Sequence, residues 1–110
     1  MTEKENKYKN TLKQAISTYG MQKQTLKAIE ELSELSQALC KGLQPFVDDE
    51  QIIVFEKLED NYQNIFEEIA DVTIMLDQCK LIFECESEVQ NWIDKKIERL
   101  EQRLKESDSQ

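Results

Sequence analysis

Histidine is absent from this 110-residue chain, and chain-breaking residues are scarce, with two glycines and one proline. Without histidine the chain cannot build a Ser-His or Cys-His catalytic pair, a His-ligated zinc site or the Glu-x-x-His iron sites of ferritin-like bundles. So few glycines and prolines also argue against a β-rich fold, which needs many tight turns. Any catalysis must therefore depend on carboxylates, Lys, Tyr or Cys.

The chain is strongly acidic, since 23 Asp and Glu against 14 Lys and Arg give a formal net charge of −9. Because such a surface repels phosphates, we expect no nucleic-acid partner. The charged start lacks the apolar stretch of a signal peptide, and no apolar run approaches membrane-spanning length, so no membrane partner is expected. Cys40, Cys79 and Cys85 lack a CxxC spacing and indicate reduced thiols, buried in the core or half-buried, in a cytoplasmic protein.

The hydrophobic periodicity predicts an all-α fold, with residues 1–110 forming a single domain, a helical bundle of about four main helices. Residues 51–58 fit either a short strand or a helical turn, and we favour the helix because a lone strand would have no partner. We expect a loop over residues 43–50 and a frayed tail from about 106 to 110. The predicted helices run from about residue 5 to Tyr19, stopped by Gly20; from Met21 to Lys41, ended by Gly42 and Pro45; from Asn61 to Cys85; and from Glu88 to Lys105.

Large apolar residues recur at steps of three or four along each long helix, which predicts the faces that are buried. The third helix has apolar residues on two sides, and a helix of this kind is usually covered on both. In a chain this short, a second subunit is the cover that we expect. The main predicted faces are Leu26, Ile29, Leu32, Leu35, Leu39 and Leu43 on the second helix, Ile65, Ile69, Val72, Leu76, Cys79 and Phe83 on the third, and Val89, Ile93, Ile97, Leu100 and Leu104 on the fourth.

Two acidic clusters stand out, Glu30-Glu31-Leu32-Ser33-Glu34 in the second helix and Glu67-Glu68-Ile69-Ala70-Asp71 in the third. In each cluster two carboxylates three residues apart are neighbours on the helix surface, an arrangement that costs roughly 0.2–0.5 kcal/mol when the charges are alike. Helical geometry places Glu31, Glu68 and Asp71 beside the apolar faces, where an unpaired carboxylate is costly. We therefore expect something positive to lie between the two helices.

An acid-rich helix is ordinarily a solvated face, and either cluster alone would be interpreted in that way. Two clusters at the seams of consecutive long helices favour an all-oxygen site for a hard cation such as Mg²⁺, with Mn²⁺ as a substitute. Such a site binds phosphate oxygens and lowers the pKa of a bound water.

The pattern E-E-x-x-E followed by E-x-x-D on the next long helix resembles that of the MazG-like, all-α nucleoside triphosphate pyrophosphohydrolases, in particular their small single-domain phage or prophage members. The matching segments are Ala28-Ile29-Glu30-Glu31-Leu32-Ser33-Glu34-Leu35 and Glu67-Glu68-Ile69-Ala70-Asp71-Val72, and the likeness extends from about Tyr19 to Arg103. The resemblance implies a Mg²⁺-dependent hydrolase that converts an NTP or dNTP and water to the monophosphate and pyrophosphate. It also implies a site completed by dimerisation, in a homodimer or a dimer of dimers.

The resemblance assigns roles residue by residue. It implies that Glu31, Glu34, Glu68 and Asp71 are metal ligands and catalytic acids, with Glu30 as an auxiliary acid, and that Gln24 lies near the nucleotide. Two departures from the family pattern are visible. The stretch between Glu34 and Glu68 is longer than in many members, and Leu100 stands where many relatives have Asn in the last helix.

A basic strip on the last helix is a candidate for phosphate binding. Lys96, Arg99 and Arg103 follow Trp92 at helical spacing. Trp92 could stack on a base, but a core position is the interpretation that we favour for it, and the basic residues could equally pair with Glu on neighbouring turns.

Two further hypotheses stay open at the level of sequence. One is a non-catalytic acidic helical protein that occupies a basic partner. The other is a related pyrophosphohydrolase that acts on phosphoribosyl-ATP or dUTP.

Overall fold

The computed structural model describes the backbone of residues 1–47 and 55–108, and the side chains of residues 1–42 and 62–108. Over these residues the chain forms four α-helices and no strand, which confirms the all-α prediction. The helices are α1 (Glu3–Tyr19), α2 (Met21–Val47), α3 (Phe55–Ile82) and α4 (Glu86–Asp108).

The first helix has well-defined ends. The Thr2 hydroxyl accepts a hydrogen bond from the Glu5 backbone N–H at 3.1 Å, so it caps the N-terminus of α1. The predicted stop at Gly20 is confirmed: its φ is 93°, a region that favours glycine, and its N–H donates to the Ile16 carbonyl at 2.8 Å. The chain therefore turns sharply from α1 into α2 with a single residue between them.

The predicted end of the second helix is wrong, because α2 continues through Gly42 and Pro45 to Val47. Gly42 serves packing here instead of ending the helix. It is buried, and a Cβ added to it would lie 2.6 Å from Cδ1 of Ile65 on α3. Glycine thus leaves room for the end of the Ile65 side chain at this level. The loop predicted over 43–50 is helical as far as residue 47, and its remainder lies outside the described residues.

The other boundaries also shift. The interpretation of residues 51–58 as helical is confirmed for 55–58, while 51–54 lie outside the described residues. α3 ends at Ile82, earlier than the predicted Cys85, because Glu84 takes up a positive φ of 50° that breaks the helix. α4 includes residues 106–108, where we expected fraying, and residues 109–110 lie outside the description.

The main packing of the chain is between α2 and α3. The buried residues of α2 follow one another at steps of three, seven and four, the spacing of a heptad seam, and all but one of them have small side chains. The buried residues of α3 continue the seam, and Leu12 of α1 lies against it. The seam consists of Ala28, Glu31, Ala38 and Gly42 on α2 and of Val72, Met75 and Gln78 on α3.

The predicted buried face of α2 is wrong for four of its six residues; of the other two, Leu35 is half-buried and the side chain of Leu43 lies outside the described residues. Leu26 and Ile29 are each 58% exposed, and Leu32 and Leu39 are exposed as well. Because small residues let helix axes approach more closely than large ones do, the small-residue face of α2 faces α3 and the leucine-rich face points away. The α3 prediction is correct for Val72, whereas Ile69, Leu76 and Phe83 are exposed.

The last helix has no buried residue. It contacts α3 but neither α1 nor α2 at the level of its backbone in the described part of the chain. A surface ion pair between Lys9 and Glu86, at 3.3 Å, joins α1 to the start of α4. The predicted stripe on α4 is therefore exposed in the single chain, with Ile97 50% and Leu104 57% accessible. None of the described helices is both long and apolar enough for a membrane span.

A hydrogen bond joins α1 to α3 at the end distant from the acidic clusters. The Tyr8 hydroxyl donates to Oδ2 of Asp77 at 2.7 Å, and Lys80 lies 3.5 Å from the other oxygen of the same carboxylate. Partial burial of the phenol and the hydrogen bond to Asp77 raise the pKa of Tyr8 from 10.0 to about 12. The neutral phenol is thus favoured by the folded state.

We expect Tyr8→Phe to lower the stability of the chain modestly, by up to about 1 kcal/mol, because the bond lies at a partly exposed site. The pKa is raised on folding, so the contribution of the bond is complete below pH 10 and is lost as the pH rises towards 12. Melting temperatures measured from pH 8 upward should therefore converge for the wild type and Tyr8→Phe at high pH. A constant gap between the two curves would contradict this assignment.

Candidate metal centre

Three carboxylates from two helices converge at the middle of the α2–α3 seam. One oxygen from each of Glu31, Glu68 and Asp71 lies within 4.8 Å of the others. Glu31 occupies a seam position of α2, and Glu68 and Asp71 are neighbours one turn apart on α3. The convergence is therefore a direct result of the register in which the two helices pack.

Two of these oxygens are buried without a hydrogen-bond partner, Oε2 of Glu31 and Oε2 of Glu68. Glu31 is only 6% exposed. Removing a carboxylate from water without compensation is strongly unfavourable. Two such oxygens facing one another across a seam therefore call for a positive group between them, and a divalent cation fits this donor set.

Lys27 compensates part of the charge on the α2 side. Its ammonium lies 3.0 Å from Oε1 of Glu31 and 3.7 Å from Oε2 of Glu30. The hydrogen bond from Lys27 lowers the pKa of Glu31, and the same bond raises the pKa of Lys27. Glu31 is thus held as a carboxylate, with one oxygen on Lys27 and the other directed into the seam.

The remaining acids show the crowding of negative charge. The charge of Glu31 is the main cause that raises the pKa of Glu34. Burial raises the pKa of Glu68, and the charges of Glu34, Glu31 and Asp71 add to the effect. In the absence of a cation, a proton on these groups relieves the same repulsion that a cation would relieve. The site therefore favours positive charge from either source.

The donor set indicates which cation suits the site. All the converging atoms are carboxylate oxygens, which hard cations such as Mg²⁺ and Mn²⁺ prefer over the softer metals that bind thiolate or imidazole. Three protein ligands leave positions for water or for ligand oxygens, as is usual for Mg²⁺ at phosphate-binding sites.

The structure brings together most of the acids named from the sequence. Glu31, Glu68 and Asp71 form the converging group, and Glu34 lies beside Glu31 on the next turn of α2. Glu30 is exposed and points to Lys27, away from the seam. The expectation of acids at a helix–helix seam is therefore correct for Glu31 and Glu68, while Asp71 lies at the exposed edge.

Gln24 lies two turns before Glu31 on the same side of α2, and its amide N–H donates to Oε1 of Gln78 at 2.8 Å. Gln78 is 3% exposed and was not singled out in the sequence. The signal that could have found it is register, because Gln24 precedes Glu31 by seven residues and Gln78 follows Asp71 by seven. The seam thus carries polar side chains on both helices over several turns.

A surface pocket of about 460 Å³ opens next to the acidic group, at the end of α2 nearest α1. Its wall includes Tyr19, Gln24, Lys27 and Met75. Lys27 belongs both to this pocket and to the acidic group through its ion pair with Glu31. A ligand that binds in the pocket would therefore lie within reach of the carboxylates.

The basic strip on α4 is not brought to the acids within one chain. Lys96, Arg99 and Arg103 are exposed, and α4 makes no backbone contact with α2 among the described residues. The interpretation of Trp92 as a core residue is wrong for the single chain, because its side chain is 54% exposed and carries Lys95 over its ring at 5.1 Å. These four residues therefore reach the site only if another copy of the chain supplies them.

Comparison with known proteins gives no match to a family model, to a curated protein or to a solved structure. The site is therefore supported by its own geometry and by the motifs of the sequence.

We expect Mg²⁺ or Mn²⁺ to raise the melting temperature of the wild-type chain, since an ion that binds only the folded state stabilises it by mass action. Glu68→Gln should abolish this shift, and by removing a crowded charge it should leave the metal-free protein at least as stable as the wild type. The shift should weaken as the pH falls, because protons compete for Glu34 and Glu68.

Glu67→Gln is the matched control, since it removes the same charge from an exposed neighbouring position of α3. Differential scanning fluorimetry with and without the metal gives both the melting temperature of the metal-free protein and the shift that the metal causes. An equal metal shift in Glu67→Gln and Glu68→Gln would exclude the seam as the binding site.

Proposed function

We propose that this chain is a Mg²⁺-dependent nucleotide pyrophosphohydrolase, which hydrolyses a nucleoside triphosphate to the monophosphate and pyrophosphate. The observation that carries the proposal is the convergence of Glu31, Glu68 and Asp71, with one carboxylate oxygen of each within 4.8 Å of the others, at a seam where Oε2 of Glu31 and Oε2 of Glu68 are buried and unpartnered. The E-E-x-x-E and E-x-x-D motifs supply the resemblance to MazG-like enzymes. Of the acids in these motifs, Glu31, Glu68 and Asp71 lie together in the fold, with Glu34 beside Glu31. The biological role that follows is removal of unwanted or excess nucleotides in the cytoplasm.

The roles of the side chains follow from their positions. Glu31, Glu68 and Asp71 would hold the cation, with Glu34 close enough to Glu31 to assist. When bound, such a cation binds phosphate oxygens and lowers the pKa of a coordinated water. Lys27 keeps Glu31 ionised through the 3.0 Å contact, so that Glu31 remains a carboxylate that can bind the metal.

The pocket beside Lys27 is the proposed location of the base and sugar. Tyr19 offers an aromatic ring that is 60% exposed, and Gln24 offers an amide held in place by Gln78. An aromatic face and a fixed amide are the groups that stack on a base and bind its polar edge. This supports the position that the family resemblance gives to Gln24.

A second copy of the chain is part of the proposal. The chain exposes 9208 Å² of surface, whereas a compact monomer of this mass exposes about 6,300 Å². Its radius of gyration is 18.4 Å, against about 13 Å for a compact domain of this length. If a dimer buried this excess of about 2,900 Å² on each chain, the total of about 5,800 Å² would lie at the upper end of the range for permanent interfaces. The outward apolar faces of α2, α3 and α4 would supply this interface.

Dimerisation would also complete the site. Among the described residues α4 makes no backbone contact with α2 of its own chain, so we propose that its basic residues serve the acids across an interface between copies. Lys96 and Arg99 of the second copy would then neutralise the phosphates that the cation does not.

The proposal predicts metal-dependent release of pyrophosphate from one or more of the eight common NTPs and dNTPs, abolished by EDTA. Asp71→Asn should lower the turnover more than about 100-fold without unfolding the chain, because it removes a metal ligand at an exposed position. Glu67→Gln should keep the wild-type rate. A colour reaction coupled to pyrophosphate release measures the turnover of both variants, and circular dichroism verifies their helical content.

Full activity in Asp71→Asn would show that the site is assigned to the wrong residues. If no nucleotide of the panel reacts and no divalent ion shifts the melting temperature, the alternative of a non-catalytic acidic helical protein gains support. If the ion shifts the melting temperature but no nucleotide reacts, a modified nucleotide or phosphoribosyl-ATP is the next substrate to test.

Sedimentation equilibrium should give a mass of at least twice the 13.0 kDa of one chain. Ile97→Asp places a charge in the exposed apolar stripe of α4 and should shift the equilibrium toward monomer. Gln102→Asp is the matched control, since it adds the same charge on the opposite side of α4 and should leave the mass unchanged. Monomeric wild-type protein at micromolar concentration would contradict the dimer.

A further inference from the structure

The turn between α3 and α4 has a well-defined hydrogen-bond pattern. The N–H of Cys85 donates to the carbonyl of Lys80 at 3.0 Å, and the N–H of Glu84 donates to the carbonyl of Leu81 at 3.3 Å. Glu84 has a φ of 50°. This pair of bonds around one residue of positive φ is the Schellman motif, which here closes α3 with a residue other than glycine.

The motif determines which side chains meet. In a Schellman motif the residue that follows the left-handed position lies over the last turn of the helix, and a contact with a side chain five or six residues before it is common. In this chain those residues are Cys85 and, six positions earlier, Cys79. Both thiols border one apolar pocket of about 370 Å³ between α3 and α4, together with Phe83 and Val89. Burial raises the pKa of Cys79, and the neighbouring Cys85 adds to the effect.

The third cysteine has a different environment. Cys40 is exposed on α2 and does not border this pocket. It therefore provides an internal comparison for the reactivity of an isolated surface thiol.

We propose that Cys79 and Cys85 are a redox modification site, a thiol pair that a small-molecule disulfide such as oxidised glutathione converts to an intrachain disulfide across the α3–α4 turn. One thiol loses its proton and attacks the glutathione disulfide, which releases one glutathione thiolate and leaves a mixed disulfide. The second thiolate then attacks the protein sulfur of that mixed disulfide and displaces the second glutathione. Two protein thiols are oxidised and one glutathione disulfide is reduced to two thiols, so atoms and electrons balance.

The bond would act on the junction between α3 and α4. Among the described helices α4 contacts α3 alone at the backbone level, and the junction is the capped turn. A disulfide from Cys79 to Cys85 would fix the last turn of α3 to the first residue before α4. It would thereby restrict the direction in which α4 leaves the turn. This inference stands independently of the proposed enzymatic function.

The test uses the full chain with Cys40→Ser, so that intermolecular exchange through the surface thiol is removed. After incubation with oxidised glutathione, trypsin cleaves behind Lys80 and separates the two cysteines into different peptides. Mass spectrometry should then find the two peptides joined, with the loss of two hydrogen atoms, and dithiothreitol should separate them. Glutathione attached to both cysteines, or bonds between chains alone, would overturn the proposal.

Single variants and a biophysical readout complete the test. In the Cys40→Ser background, Cys79→Ser should leave Cys85 as a stable mixed disulfide with glutathione, because no second thiol can displace it. Oxidation of the intact pair should raise the melting temperature by several degrees and slow hydrogen exchange at the amide of Cys85. Neither readout involves turnover, so an inactive protein would leave this inference fully testable. Unchanged exchange and melting after the bond has formed would refute the effect on the turn.

Discussion

The close approach of α2 to α3 is the constraint on which the other features depend. The contact face of α2 is made of Ala28, Ala38 and Gly42, with Glu31 between them. A Cβ on Gly42 would lie 2.6 Å from Cδ1 of Ile65. Small side chains let two helices pack at short distance, and over several turns they fix the register. That register decides which acids of the two helices face each other and which apolar residues are left on the outside.

The acidic group is placed where a globular core would ordinarily exclude it. Buried, unpaired carboxylate oxygens are unfavourable, so the chain gives up stability at the centre of its main helix pair. Glu31 is kept ionised by Lys27, while the pKa of Glu68 is raised by burial and by its acidic neighbours. Natural proteins depart from the ordinary rules of packing mainly at functional sites, and this group is the clearest departure in the described part of the chain.

Many of the large apolar residues lie on the surface of the single chain. Because the small face of α2 is turned inward, Leu26 and Ile29 remain exposed, and α4 contributes no buried side chain. A chain with this distribution exposes more apolar surface than a stable monomer ordinarily does. The proposed dimer, the basic strip and the thiol pair at the α3–α4 turn all involve α4. In the described part of the chain α4 is joined to the other helices by the capped turn after α3 and by the ion pair between Lys9 and Glu86.

The sequence by itself determined the helical class, the stop at Gly20 and the pairing of two acidic clusters, because periodicity, a glycine after a periodic segment and i,i+3 spacing are local properties. It misplaced the buried face of α2, since the largest apolar residues were taken as the core and Ala28, Ala38 and Gly42 carry little hydrophobic signal. Gly42, a stop by local rules, is a packing position because Ile65 lies against it. Only the tertiary structure decided the register that joins Glu31 to Glu68 and that separates α4 from α2, because register depends on the fit of two surfaces distant in sequence.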